Sequence, residues 1–142
     1  MASSSNEWTA LGLSPWLGST CAEMGLRKPT PIQTACITPA LQGRDVLGSA
    51  ETGSGKTAAF ALPVLQALSE DPFGVFAVVL SPARELAQQI ADQFTALGAR
   101  MQLRVAVVVG GVDMMRQALQ LAERPHIVIG TPGRLADHLR SS

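Results

Sequence analysis

The sequence predicts an α/β domain in which a mainly parallel sheet lies between helices. Three observations predict it: wholly apolar runs of strand length, helix-prone stretches between them, and a glycine-rich turn whose lysine opens a helix. Residues 76–80, 105–109 and 127–129 are continuous apolar runs, the pattern of strands buried on both faces of a parallel sheet. Between them, residues 85–97 place Leu86, Ile90, Phe94 and Leu97 at helical spacing, and residues 114–122 form a second such stretch. Strands alternating with helices make a doubly wound domain. Ligands of such sheets sit at the carboxyl ends of the strands.

The elements before these runs follow from caps and breakers. Ser14-Pro15 opens a first helix with Leu17, Cys21 and Met24 on one face, and Gly25 closes it. Thr30-Pro31-Ile32-Gln33 opens a second over residues 31–41, ended by Gly43, with Pro39 weakening its last turn. Asp45-Val46-Leu47-Gly48 is a short apolar lead-in, expected as a strand. A helix from Lys56 to about Ser69 follows, and Pro63 removes one of its internal hydrogen bonds.

Composition bounds the function. At 142 residues and 46% hydrophobic content, the chain has the length of one domain and enough apolar material for a core. Basic and acidic residues balance at 11 each, so no global field draws it to nucleic acid or membrane, and any such contact must come from a few placed groups. Cys21 and Cys36 lack metal-ligand spacing and read as small apolar residues of a reducing compartment. His126 and His138 lack metal-spaced partners and read as structural or solvent-exposed. The first residues have neither a basic nor an apolar leader segment, and the aliphatic run at 105–109 is too short to span a bilayer. An intracellular chain is expected.

The chemistry concentrates in Ala50-Glu51-Thr52-Gly53-Ser54-Gly55-Lys56-Thr57. Glycines let the backbone curl so that successive N–H groups point inward, and the following helix turns its positive dipole end to the same space. Lys56 can reach the β- and γ-phosphates, and the Thr57 hydroxyl can ligate magnesium. The generic phosphate-loop pattern wants glycine at position 50, where this chain has Ala50. Upstream, Thr30-x-x-Gln33 reads two ways. It is a capping box with Pro31 at the first helical position; equally, a glutamine amide complements the N6 and N7 edge of adenine.

Three further stretches also have two readings each. Pro82-Ala83-Arg84-Glu85 is a helix start with Glu85 favourably placed against the dipole, or a place where Arg84 meets a phosphate. Gly110-Gly111 is a strand-to-loop turn, or a main chain bare enough for close approach by a ligand. In Thr131-Pro132-Gly133-Arg134 a good cap and a first-turn proline leave N–H groups free to attract phosphate, with the Arg134 guanidinium beside them.

Taken together, these stretches resemble the motifs of the DEAD-box RNA helicases. Gly25-Leu26-x-x-Pro29-Thr30-Pro31-Ile32-Gln33, with Trp8 seventeen positions before Gly25, resembles the family's Q motif, and residues 50–57 resemble its motif I, where Ala50 is the usual residue. The resemblance implies a RecA-like P-loop fold, with residues 1–34 as the Q-motif region and 35–142 as the N-terminal part of the first helicase domain. It implies ATP and Mg2+ as cofactors: Gln33 reads adenine, Trp8 and residues 26–28, Lys28 among them, wall the base, and residues 50–57 hold phosphates and metal. Lys56 and Thr57 are then the catalytic positions. Residues 82–87 resemble motif Ia, with Ala83 where the family has threonine; Gly110-Gly111 resembles the GG doublet, and residues 131–135 resemble motif Ib. These imply an RNA partner held by its backbone without sequence preference, through Pro82, Arg84, Gly110, Gly111, Thr131, Pro132, Gly133 and Arg134. A base-stacking binder fits less well, since the chain has no Tyr, four Phe and two Trp.

The wording of residues 68–74 and 135–142 resembles the nucleolar, ribosome-biogenesis branch of the family, which implies a nuclear, monomeric protein with protein cofactors. No Asp-Glu pair follows Thr57, so these 142 residues are expected to lack the family's namesake motif, its Ser-Ala-Thr motif and its second domain. The resemblance therefore implies an N-terminal piece of an ATP-dependent helicase with negligible turnover alone, or a non-catalytic module that binds nucleotide or RNA. It also implies that Val46 and Leu47 lack a neighbouring strand and form an exposed apolar edge.

Overall fold

Three parallel strands, β1 (Ala77–Leu80), β2 (Val105–Val108) and β3 (Ile127–Gly130), lie in the order β1-β3-β2 and organise the second half of the chain in this computed structural model, which describes residues 7–51, 53–71 and 75–141. The described residues fall into two compact units, Met1–Asp71 and Pro72–Ser142.

The first unit is helical. A short α1 (Glu7–Ala10) precedes α2 (Pro15–Glu23), α3 (Pro31–Leu41) and α4 (Lys56–Glu70). Ser14 makes no side-chain cap on α2; its N–H instead donates to Gln66 Oε1 of α4 at 2.7 Å, and Gln66 Nε2 returns a bond to Gly12 O. Two side-chain bonds thus clip the turn before α2 onto α4. Trp8, Leu17, Cys21, Ile37, Leu62, Leu65 and Leu68 are fully buried. Thr38 Oγ1 donates to Leu11 O at 2.8 Å, which fixes the α1–α2 connection against α3.

Residues 44–50, expected to include a strand at 45–48, form none. Val46 is 42% exposed and Leu47 wholly so. A strand holds only when another pairs with it, and no described residue pairs with this segment. The exposed apolar pair is present as expected, but on an irregular segment. Gly48 nevertheless passes close to α3, where an added Cβ would lie 3.2 Å from Cys36 Sγ and 3.3 Å from Ile32 Cδ1.

In the second unit, β1 (Ala77–Leu80), α5 (Arg84–Leu97), β2 (Val105–Val108), α6 (Met114–Ala122), β3 (Ile127–Gly130) and α7 (Pro132–Ser141) alternate, with a 3-10 turn at Ala99–Met101 after α5. Register is level at the carboxyl ends, where both Leu80 and Val108 face Gly130. Both-face burial holds only for the central β3, which is buried at every residue. On the edge strand β1, Val78 and Leu80 are 56% and 63% exposed, because no described element covers that face. On α5 the buried stripe is Ala87, Ile90, Ala91, Phe94 and Leu97. Leu86, expected in that stripe, is exposed, since the inward face starts one residue later.

Candidate nucleotide and nucleic-acid sites

In the first unit, the end of one irregular segment and the start of one helix make the phosphate-loop geometry. Gly53 and Gly55 have φ of +83° and +89°, left-handed conformations that other residues resist. Ser54 N–H bonds to Glu51 O at 3.2 Å, closing the turn between them. Lys56 and Thr57 are the first two residues of α4, Lys56 exposed and Thr57 half-buried. The first N–H groups of a helix have no partner within it, and the dipole adds partial positive charge there. Ser54 Oγ is buried without a hydrogen-bond partner. An oxyanion in this turn would supply the missing partner, so the residues present fit a phosphate group. Thr57 could then add its hydroxyl to a divalent cation on the phosphates. Ala50 and Glu51 lead into the turn; Thr52 lies outside the described residues.

Gln33 is 2% exposed and occupied on both sides of its amide. Its Oε1 accepts from Thr30 N–H at 2.8 Å, the reverse half of the capping box, and its Nε2 donates to Gly55 O at 3.0 Å. Thr30 Oγ1 makes no bond in return. The amide still has one N–H and one acceptor lone pair to offer. Capping and base recognition are therefore compatible, and Gln33 also ties the start of α3 to the phosphate loop.

Trp8 has no exposed surface, and its indole N–H donates to Leu26 O at 3.0 Å. Trp8 is thus tied to the segment at 26–28, whose Lys28 is exposed. Cys21 is fully buried, and burial pushes its thiol up to about 11. Among the described residues no group of three or more His, Cys, Asp and Glu side chains could hold a metal.

In the second unit, the three loops after the strands lie along one end of the sheet. Ser81, buried after β1, donates its N–H to Gly130 O at 2.9 Å, and Thr131 N–H donates to Val108 O at 3.1 Å. Pro82 and Arg84 are exposed at the start of α5. Arg84 Nη1 donates to Gly110 O at 3.2 Å and lies where a Cβ on Gly111, with φ +85°, would stand. From α7, Arg134 Nη2 donates to Val112 O at 2.9 Å, beside exposed Pro132 and Gly133. The fold thus brings the three expected RNA-backbone stretches together: both arginines grip the loop that carries the glycine pair. Each guanidinium keeps other N–H donors for a ligand.

Sequence reasoning missed the buried polar group beneath this loop. Gln117 of α6 is 1% exposed; its Nε2 donates to Val109 O at 2.8 Å, and its Oε1 lies 3.0 Å from His138 Nε2 of α7. No local motif marks Gln117, since a glutamine in an amphipathic helix reads as part of the wet face.

A glycine-curled turn at a helix start, and arginine-bearing loops at the carboxyl end of a parallel sheet, are the features of an α/β protein of the RecA-like kind. Comparison with known proteins makes the assignment specific. The DEAD/DEAH box helicase family matches residues 30–142, and the chain belongs to that family. The human protein named probable ATP-dependent RNA helicase DDX49 is 62% identical over 132 residues, covering 93% of this chain and 27% of its own length. ATP-dependent RNA helicase DBP8 of Yarrowia lipolytica is 58% identical over 135 residues, 95% of this chain and 30% of that protein. The crystal structure of the RNA helicase Prp28 from Chaetomium thermophilum bound to ADP superposes with a TM-score of 0.84 at 42% identity, covering 92% of this chain and 33% of that one. The chain therefore spans under a third of the length of these two sequence relatives.

Proposed function

We propose that this chain is the nucleotide- and RNA-gripping part of an ATP-dependent RNA helicase, with residues 1–34 as the Q-motif region and 35–142 as the first stretch of the helicase domain. RNA-stimulated ATP hydrolysis and local duplex unwinding are the activity of a protein carrying the rest of the relatives' length. One observation carries the reading: Gly53 and Gly55 turn left-handed immediately before Lys56 opens α4, around the buried and unpartnered Ser54 Oγ. Residues 50–57 then hold the triphosphate and Mg2+, with Lys56 on the phosphates and Thr57 on the metal. Gln33, Lys28 and, through Leu26, Trp8 shape the base site. Arg84, Arg134, Pro82, Thr131, Pro132, Gly133 and the main chain of Gly110 and Gly111 take the RNA backbone.

Since positioning and charge stabilisation supply nearly all the rate of phosphoryl transfer, a chain with no Asp-Glu pair after Thr57 binds nucleotide without turning it over. The resemblance of residues 68–74 and 135–142 to the ribosome-biogenesis branch supports a nucleolar protein, and we take it as a monomer that works with protein cofactors. Titration calorimetry tests the reading. Mg·ATP gives heat, Mg·GTP gives much less, Lys56→Ala abolishes the signal, and Gln33→Ala removes the preference for adenine. Absence of heat with the unaltered chain overturns it, and phosphate release lost on Lys56→Ala overturns the assignment as non-hydrolytic.

A further inference from the structure

Three helices of the second unit each send one side chain to the same four-residue loop. Gln117 of α6 donates to Val109 O, Arg84 of α5 to Gly110 O, and Arg134 of α7 to Val112 O. Of the three donors only Gln117 is buried and uncharged. Its Nε2 is committed to Val109 O, so its Oε1 is the acceptor towards His138 Nε2–H. In a trans peptide the C=O and N–H of one unit point opposite ways, and no described peptide bond is cis. Fixing the Val109 and Gly110 carbonyls therefore fixes the N–H groups of Gly110 and Gly111. Neither of those N–H groups has a main-chain partner among the described residues, and Gly111 is exposed. Two adjacent free N–H groups, one on a residue with positive φ, are the elements of an anion-binding nest.

We infer that Gln117, braced by His138, is a positioning residue that aims the Gly110 and Gly111 N–H groups at an RNA phosphate. The inference rests on the proposed RNA-backbone role of this loop. The two arginines supply charge and the amide supplies aim. Gln117 touches no ligand itself, because it is buried under the loop. Its removal leaves Val109 O without its side-chain donor and frees the first peptide of the loop to rotate.

The test is titration of the 142-residue chain with oligo(U), followed by amide NMR and fluorescence anisotropy at several salt concentrations. In the unaltered chain the Gly110 and Gly111 amides shift on titration; if they do not, the RNA-backbone reading of the loop fails. Given those shifts, Gln117→Met weakens binding by about tenfold, the equivalent of one well-aimed hydrogen bond. The slope of log K against log salt stays unchanged, because no charge is lost, whereas Arg134→Ala flattens it by roughly 0.7, one phosphate contact to a single strand. A purely structural role for Gln117 would lower the competent fraction and leave the midpoint of the remainder in place, with the Gly110 and Gly111 shifts intact; that result overturns the inference. His138→Leu keeps the bond to Val109 O and removes the brace on Gln117, so it covers the case in which Gln117→Met does not fold. A smaller loss of affinity is expected from it, recovered in His138→Gln, whose amide N–H can replace the ring donor; unchanged affinity in both Gln117→Met and His138→Leu likewise overturns the inference.

Discussion

Gln33 Nε2 donates to Gly55 O across 3.0 Å, joining the third residue of α3 to the residue immediately before α4. The same carbonyl accepts from Ala59 N–H at 3.2 Å, so the bond that begins α4 and the bond from α3 converge on one oxygen. Because Gln33 Oε1 also holds Thr30 N–H, one buried amide connects the start of one helix to the start of the next. Nucleotide entering the turn at Gly53–Gly55 would therefore act on α3 directly.

Substitution of Gln33 should cost stability even without nucleotide. Gln33→Ala leaves Thr30 N–H unpaired beneath the surface and opens a void beside Gly55. Leaving a buried polar group unsatisfied costs about 1–3 kcal/mol, and that is the loss expected from urea denaturation with an unchanged m-value. Gln33→Glu keeps an acceptor for Thr30 N–H but sets a carboxylate against Gly55 O, so it should be no better than alanine. Wild-type stability in both variants would mean that the amide bridge is not held in solution.

The two left-handed glycines of the turn should respond unequally to alanine. Both incur the conformational cost of a Cβ at positive φ, roughly 1–2 kcal/mol per residue. At Gly53 nothing lies within 4 Å of the added methyl, whereas at Gly55 it meets the Gln33 amide and comes within 3.2 Å of Thr30 Oγ1. Gly55→Ala must break the Gln33 bond as well, so its loss exceeds that of Gly53→Ala by about 1 kcal/mol, the net worth of one hydrogen bond. Equal melting temperatures for the two variants would contradict the bridge.

Much of this geometry was readable beforehand, and most exceptions share a cause. The bounds of α3 follow from a proline at the first helical position and those of α6 from apolar spacing, both local signals; the Asp113 cap, which accepts from Met115 N–H at 3.2 Å, was not singled out. The left-handed Gly53 and Gly55 follow from residue type alone. What else escaped depends on partners distant in sequence. Residues 45–48 are apolar enough for a strand but have nothing to pair with; Val78 and Leu80 are apolar enough for a core but lie on an uncovered edge face. Arg84 and Arg134 were legible as cations, yet their bonds to Gly110 O and Val112 O depend on two loop carbonyls whose direction no sequence pattern shows. Gln117 was invisible for the same reason, its partner being Val109 O.

The thiols should separate by burial. Cys21 is fully enclosed in the helical unit and its thiol is pushed up to about 11 by desolvation, while Cys36 is half-exposed beside Gly48. Only the thiolate attacks an alkylating agent. Iodoacetamide at mildly alkaline pH should therefore label Cys36 in the native chain and leave Cys21 untouched until denaturant is added, as peptide mass spectrometry would report. Early labelling of Cys21 would mean that α2 is not packed as described.

His126 should make the sheet unit less stable in mild acid. It sits immediately before β3, where its Nδ1 accepts from Arg104 N–H at 3.1 Å while its own N–H donates to Arg104 O at 2.9 Å. Desolvation, and then the Arg104 charge, hold its pKa below the usual histidine value of 6.5. The folded state thus prefers the neutral ring, and the unfolded state takes up the proton at a higher pH. Stability rises with pH wherever the unfolded state binds more protons, so this contribution is complete above the unfolded value and is lost as pH falls through 6.5 towards the lower folded one. Protonation at Nδ1 also removes the acceptor for Arg104 N–H, so the loss has a structural site. His126→Asn can present Oδ1 to the same N–H without titrating. Its denaturation midpoint should fall less than that of the unaltered chain between pH 7.5 and 5.5, and the difference between the two curves is the contribution of His126. Identical pH profiles would show that the Arg104 contact does not discriminate between the two ring states.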